Sequence, residues 1–196
     1  MPLLKKELDV FPPTLFELGP EGLPWWVAHV RSRQEKALAR YLRPIGVPFY
    51  LPQREHRVRR ASRSFASFLP LFPGYLFFRG SAADRVAALR SNLIVRILDV
   101  FDQDLLGAEL SQLNALQSSG ALLTPCAPLE PGDAVRIVDG PFQGYTGVVV
   151  RGADRPRLVV AISVLRKAVE VELERGSVSL RQPGLSPRRV VSSAVA

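Results

Sequence analysis

The sequence contains few of the residues that build catalytic, metal or disulfide sites. Cys126 is its only cysteine, so an internal disulfide is impossible, which is typical of a cytoplasmic protein. The two histidines, His29 and His56, are far apart, and no glycine-rich phosphate loop or metal-ligand spacing occurs. We therefore predict that the chain is not an enzyme, with no catalytic residue, no metal and no cofactor.

Long apolar runs are also missing. No segment of the sequence reaches the length of a transmembrane helix. Lys5 and Lys6 are not followed by the apolar run and small-residue cleavage site of a secretory signal. The sequence thus predicts a cytoplasmic monomer that does not use a membrane.

Positive charge is concentrated in one part of the chain. The net charge is +8, and the segment from Arg31 to Arg63 holds ten Lys and Arg against two Glu, which equals that whole excess. A basic patch of this kind favours a polyanionic partner, above all nucleic acid. A solvated charged surface is the alternative, and the concentration of charge in one segment favours binding over it.

The first half of the chain alternates between strand and helix patterns. Residues 1–23 hold four prolines and predict an extended arm, which either docks through Leu15, Phe16 and Leu18 or stays loose. After the arm the patterns follow the order β-α-β-β-β-α-β, which predicts a sheet with helices packed on it. Strand patterns occupy residues 25–30, 47–52, a basic hairpin at 54–65, 72–80 and 93–100.

Three helices are predicted from spacing and capping residues. The first follows Ser32, a suitable N-cap with Glu35 three residues later as a capping box, and it ends at Pro44. The second is capped by Ser81. A third, at 107–120, carries leucines at helical spacing and closes the domain.

The second half begins with a Ser-, Gly- and Pro-rich linker and then changes to a period of two. Short β-branched runs recur at roughly ten-residue spacing, which is typical of a small all-β barrel. Gly140, Gly144 and Gly147 are expected to give the backbone freedom for tight turns. The predicted division is an arm at 1–23, a domain at 24–117, a linker at 118–130, a barrel at 131–182 and a disordered tail at 183–196.

Two motifs carry a family resemblance. The stretch "PGDAVRIVDGPFQGYTGVVV", Pro131 to Val150, resembles a KOW motif. Before it, "WWVAHVRSRQEKALARYL", "FYLP", the basic hairpin and "PLFPGYLFFRG" resemble the NusG N-terminal domain. In this order, the motifs resemble the NusG/RfaH family of transcription elongation factors. The resemblance implies an α+β fold, in which an N-terminal α/β sandwich is joined by a flexible linker to a small C-terminal SH3-like β-barrel.

The resemblance also implies partners. Such proteins bind RNA polymerase by a hydrophobic pocket that receives the clamp helices of the largest subunit, and they modulate pausing, termination or antitermination. Strand alternation puts Tyr75 and Phe77 on one face and Leu76 and Phe78 on the other. Whether each aromatic belongs to the pocket or to the core stays open. The candidate polymerase-binding residues are Trp26, His29, Phe72, Tyr75 and Phe77.

The basic segment is the candidate DNA-binding surface, which in the family approaches upstream duplex DNA and the non-template strand. Lys and Arg gain affinity by displacing counterions from phosphates, and Arg also stacks on unpaired bases. The candidate nucleic-acid-binding residues are Arg33, Lys36, Arg40, Arg43, Arg57, Arg59, Arg60 and Arg63.

The barrel is the candidate site for further partners, which in the family include ribosomal protein S10 and the termination factor Rho. Phe142, at a turn, is either an exposed anchor or part of the barrel's own core. The candidate partner-binding residues are Phe142, Ile162, Val164 and Leu165. The altered sequence after Leu165 and the extra arm favour a specialised paralog acting on particular operons. The alternative function is that of a KOW-containing, ribosome-associated RNA-binding protein.

Overall fold

The computed structural model of the protein describes residues 6–17, 23–60, 63–126, 134–137, 144–151, 156–172 and 180–181. Leu18, Gly140, Phe142 and the predicted tail at 183–196 lie outside these residues. None of the described helices is both long enough and apolar enough to cross a membrane.

The N-terminal part is a five-stranded antiparallel sheet with helices on both faces, in the strand order β1-β3-β6-β2-β7, and a separate hairpin of β4 and β5. The predicted order of elements is confirmed except that the basic hairpin supplies two strands, so four strands and not three lie between α1 and α2, and that β1 is added within the arm. The elements are β1 Val10–Phe11, β2 Trp25–Val30, α1 Glu35–Leu42, β3 Phe49–Tyr50, β4 Gln53–Arg60, β5 Arg63–Pro70, β6 Tyr75–Arg79, α2 Ala82–Leu89, β7 Ile94–Leu98 and α3 Gln103–Ser118.

Strand alternation divides the core of this domain into two layers. Ala28 of β2 and Leu76 and Phe78 of β6 pack on one face with α1 and α2. Val27 and Phe77 point to the other face and pack with α3. The sheet is therefore covered by helices on both sides, as the α/β sandwich requires.

The helix boundaries show where local sequence rules hold. Ser81 caps α2 and forms a complete capping box with Asp84, as predicted. The predicted cap of α1 is wrong, because α1 begins at Glu35 and its N-cap residue, Gln34, makes no side-chain capping bond. The Glu35 carboxylate instead accepts the backbone N–H of Gly74 at 2.7 Å, so a contact across the fold replaces the capping box.

Helix α3 starts earlier than predicted. The side chain of Asp102 accepts the backbone N–H of Leu105 at 2.8 Å and fixes the first turn four residues before Gly107, at which the sequence predicted the start. Asp is among the best N-cap residues, and here its signal outweighs the helix-weakening effect of Gly107.

The C-terminal part is a six-stranded antiparallel sheet in the order β13-β9-β10-β11-β12-β8. Four of its strands match the predicted β-branched runs. Its strands are β8 Leu123–Cys126, β9 Ala134–Ile137, β10 Thr146–Arg151, β11 Pro156–Ile162, β12 Lys167–Glu172 and β13 Leu180–Arg181. Strand β8 lies within the predicted linker and pairs with β12, so the chain between α3 and the first strand of this sheet is only residues 119–122.

Glycine is required at two positions of the KOW-like motif for different structural reasons. Gly144 has φ of 88°, a left-handed conformation that favours glycine, which agrees with the predicted turn. Gly147, also predicted at a turn, instead lies inside β10. A Cβ atom there would overlap the carbonyl oxygen of Val159 on the neighbouring strand. Gly147 therefore permits a close approach of two strands.

Candidate functional site

Phe72 and Phe77 are buried core residues in this structure. Their side chains are 2% and 0% exposed, and their rings meet edge to face with centroids 6.2 Å apart. Burial of apolar surface contributes roughly 25 cal/mol per Å², and aromatic rings bury a large area each. These two residues thus stabilise the hydrophobic core against which Tyr75 packs.

His29 and Tyr75 form the accessible part of the aromatic group. They are paired across β2 and β6, both are half-buried, and their rings stack with centroids 5.3 Å apart. Gly74 turns the chain into β6 beside this pair with a φ of 85°, a left-handed conformation that favours glycine. We call this His29–Tyr75 pair the aromatic patch.

One atom of the aromatic patch is unsatisfied. His29 Nδ1 is buried and has no hydrogen-bond partner among the described residues. A buried polar nitrogen without a partner costs free energy, so a group that supplied a hydrogen bond there would be favoured.

Trp26 lies apart from the aromatic patch. It points to the opposite face of the sheet, stacks on Phe78 and donates its indole N–H to the carbonyl oxygen of Gly80 at 2.8 Å. The Arg85 guanidinium lies 5.3 Å from its ring centroid. The structure therefore does not bring Trp26 together with the other four residues of the predicted pocket.

The C-terminal sheet contacts the aromatic patch. The Lys167 ammonium lies 4.9 Å from the centroid of the Tyr75 ring, a cation–π distance. Lys167 is the first residue of β12, so one end of the C-terminal sheet lies over the patch.

Helix α3 carries the rest of this contact between the domains. The Glu109 carboxylate accepts the backbone N–H of Ser163 at 3.0 Å and also its hydroxyl. Burial raises the pKa of Glu109, and the nearby Asp102 charge adds to the rise, while the two bonds from Ser163 oppose it. The interface thus includes a partly desolvated carboxyl group with its hydrogen bonds satisfied.

The predicted partner-binding residues of the barrel lie in this same region. Ile162 and Leu165 are buried and Val164 is half-buried, all within the cluster that includes the leucines of α3. Sequence patterns alone do not predict this contact between the domains, because the buried leucines of α3 lie on one face of the helix, as in any helix packed on a single core.

The cations of α1 have different environments. Arg33 and Arg43 are exposed at the two ends of the helix. Lys36 is only 8% exposed, and this burial lowers its pKa. Arg40 is exposed but makes an ion pair with Glu7 of the arm at 2.6 Å.

The hairpin carries further basic residues. The predicted hairpin is present, and its strands pair from Gln53 with Pro70 to Arg60 with Arg63, so it extends five residues beyond the predicted end at Phe65. The Arg57 side chain is 81% exposed and pairs with Glu55 at 3.1 Å. For Arg59, Arg60 and Arg63 the structure describes the backbone, which places them in the last rungs of the ladder beside residues 61–62.

The arm docks on the N-terminal domain, which confirms one of the two predictions for it. Leu15 is fully buried, and Phe16 packs on Trp25 and against Tyr50. Glu7 is not predictable as a partner of Arg40 from the sequence, because the two residues are 33 positions apart and no local pattern links them.

Comparison with known proteins agrees with this architecture. The family model described as "Transcription termination factor nusG" matches residues 23–103, and the model of the KOW motif matches residues 131–151. Together the two models cover about half of the chain, and both lie where the sequence analysis placed the corresponding motifs.

Curated relatives match the N-terminal half. The chain is 31% identical to the transcription termination/antitermination protein NusG of Escherichia coli (strain K12) over 103 residues, which are 52% of this chain and 49% of that protein. NusG of Vibrio cholerae is 37% identical over 67 residues, 34% of this chain and 37% of that protein. The alignments thus span about half the length of these relatives or less.

A solved structure described as "Domain interaction in Thermotoga maritima NusG" superimposes with a TM-score of 0.47 at 19% identity, covering 82% of this chain and 98% of that one. The two family models, in the order and positions expected, and the curated relatives place the chain in a family. The protein is a member of the NusG/RfaH family.

Proposed function

We propose that this protein is a transcription elongation factor that binds RNA polymerase and modulates pausing, termination or antitermination, as a specialised paralog acting on particular operons. The single observation that supports this best is the half-exposed aromatic patch, His29 and Tyr75, on the domain that matches the family.

The chemistry of the patch suits a protein partner. Two stacked rings offer apolar surface, and aromatic residues are enriched among the residues that dominate binding energy. The clamp helices of the largest polymerase subunit are the proposed occupant, with Phe72 and Phe77 as the buried support.

The same proposal gives roles to the other surfaces. The hairpin cations would lie along upstream or non-template DNA, where phosphate contacts require no sequence-specific chemistry. The barrel would bind ribosomal protein S10 or Rho through the region of Ile162, Val164 and Leu165, which are covered in the docked arrangement described above. Binding there therefore requires the two domains to separate.

A binding measurement with core RNA polymerase tests the proposal. Tyr75→Ala should weaken binding at least about tenfold, as expected for an aromatic residue at the centre of an interface. Tyr41→Ala is the matched control, since Tyr41 is also half-buried but belongs to the opposite layer of the domain. Thermal melting of each variant shows that it is folded.

The outcomes separate the proposal from its alternative. If the wild type does not bind polymerase but binds ribosomal RNA tightly, the ribosome-associated function is correct and the proposal fails. If Tyr75→Ala and Tyr41→Ala bind polymerase as the wild type does, the aromatic patch is not the contact.

A further inference from the structure

The arm is fixed beside helix α1 by its backbone. Strand β1 pairs with β3, and the carbonyl oxygen of Asp9 accepts the N–H of Leu51 at 2.7 Å. The buried Gln53 accepts the N–H of Glu7 at 3.3 Å and donates to the Glu7 carbonyl oxygen at 3.1 Å. Residues 7–9 are thus held in place by bonds that do not involve the Glu7 carboxylate.

This position puts two arm carboxylates beside the middle of the basic face of α1, which is formed by Arg33, Lys36, Arg40 and Arg43. Glu7 pairs with Arg40 at 2.6 Å, and the Asp9 carboxylate accepts a hydrogen bond from Gln53 at 2.6 Å. The charges of both Glu7 and Asp9 act on Lys36, one helical turn before Arg40. Two of the four cations of this face therefore already have negative neighbours within the chain.

The ion pair of Glu7 with Arg40 is not needed to hold the arm. The side chains of Arg40 and Glu7 are 60% and 27% exposed, and ion pairs this open add little stability. The arm is held by the strand pairing, by Gln53 and by the buried Leu15. The consequence of the pair is electrostatic, because a phosphate that approached Arg40 would also approach the fixed charge of Glu7.

We propose that the arm carboxylates, Glu7 above all, exclude Arg40 and Lys36 from the set of residues that contact phosphates, so that nucleic acid binds at the β4–β5 hairpin and not across the middle of α1. This inference rests on the nucleic-acid contact proposed above and deepens it by setting its boundary. The arm carboxylates lie before residues 23–103, which the family model matches.

Titration of a labelled single-stranded oligonucleotide of mixed sequence, followed by fluorescence anisotropy at several salt concentrations, tests the inference on the full chain. Glu7→Gln should strengthen binding, because Arg40 gains access to a phosphate. On a single strand, one added phosphate contact steepens the slope of log K against log salt by about 0.7, so the gain should shrink about 2.6-fold between about 50 and 200 mM KCl.

A double-mutant cycle assigns the gain to Arg40. Arg40→Gln alone should change affinity little, because Glu7 is held beside Arg40 by its bonds to Gln53. Arg57→Gln should weaken binding, because Arg57, although paired with Glu55, is 81% exposed and its partner is 44% exposed, so Arg57 can turn to a phosphate. In the Glu7→Gln background, Arg40→Gln should abolish the gain. Glu17→Gln is the matched control, since Glu17 is an exposed arm carboxylate in none of the ion pairs found among the described residues.

The possible results are distinct. If the wild type binds the oligonucleotide but Glu7→Gln has the same affinity and salt slope, or if Arg40→Gln weakens binding as much as Arg57→Gln does, this inference is wrong and the proposed nucleic-acid contact survives. If neither the wild type nor Glu7→Gln binds at any salt concentration, the nucleic-acid contact is wrong and the inference fails with it.

Discussion

At the scale of single residues, Glu109 forms the polar part of the contact between α3 and the C-terminal sheet. Its carboxylate accepts both hydrogen bonds that Ser163 donates, yet burial still raises its pKa. The ionised form thus costs free energy when the domains are docked. Glu109 therefore couples docking to pH.

The direction of this coupling follows from the raised pKa. A carboxyl group whose pKa is higher when docked favours docking at low pH, and this contribution is lost as pH rises from about 4.5 through the docked-state pKa. Glu109→Gln should remove this dependence while keeping an acceptor for Ser163. The backbone amide shift of Ser163, followed by NMR as pH rises, measures it. An unchanged pH profile in Glu109→Gln would assign the titration to another group.

At the scale of secondary-structure elements, the N-terminus of helix α2 is stabilised by a capping box. The Ser81 hydroxyl accepts the N–H of Asp84 at 3.2 Å, and the Asp84 carboxylate accepts the N–H of Ser81 at 2.8 Å. Ser81→Ala should cost about 1 kcal/mol, which lowers the Tm by about 2–4 °C for a chain of this size. Ser32→Ala is the control, because Ser32 does not cap α1, and its Tm should equal that of the wild type. A comparable loss in both variants would show that capping is not the cause.

The same two serines show how far the sequence predicts this fold. Ser81 and Asp84 are close in sequence, so their capping box is readable without coordinates. Glu35 has the same spacing from Ser32, but its carboxylate binds Gly74, 39 residues away, and local spacing does not reveal this. Most strands of the two sheets were predicted because alternation is local. Strands β1, β8 and β13 were missed because they are short or irregular in sequence and are defined by pairing with strands distant along the chain.

In the candidate site, too, local features were predictable and those set by distant contacts were not. Alternation correctly placed Tyr75 and Phe77 on one face of the sheet, but it does not distinguish the half-buried Tyr75 from the buried Phe77. That difference depends on α3, on the arm and on Lys167, all distant in sequence. The arm carboxylate at Glu7 was missed for the same reason.

At the scale of the whole molecule, a short connection joins two domains whose surfaces cover each other. Only residues 119–122 separate α3 from β8. A short tether keeps the barrel at a high effective concentration near the N-terminal domain, so even a weak contact stays largely closed. In the closed arrangement Lys167 lies over Tyr75, and Ile162 and Leu165 are buried. A partner for either surface therefore competes with the contact between the domains.

Lengthening the tether should weaken that competition. Effective concentration falls roughly as the −3/2 power of tether length, so lengthening the four residues to about sixteen with Gly and Ser lowers it about eightfold. Inserted after the exposed Gly120, the longer tether should shift the Ser163 amide toward its undocked position and raise the affinity for core RNA polymerase by up to that factor. The same insertion in Tyr75→Ala should give little gain in affinity, because the ring that polymerase is proposed to contact is absent even when the domains separate. The Ser163 amide could shift without any change in polymerase affinity. Separation of the domains would then expose nothing that polymerase uses, and docking would not cover the polymerase-binding surface.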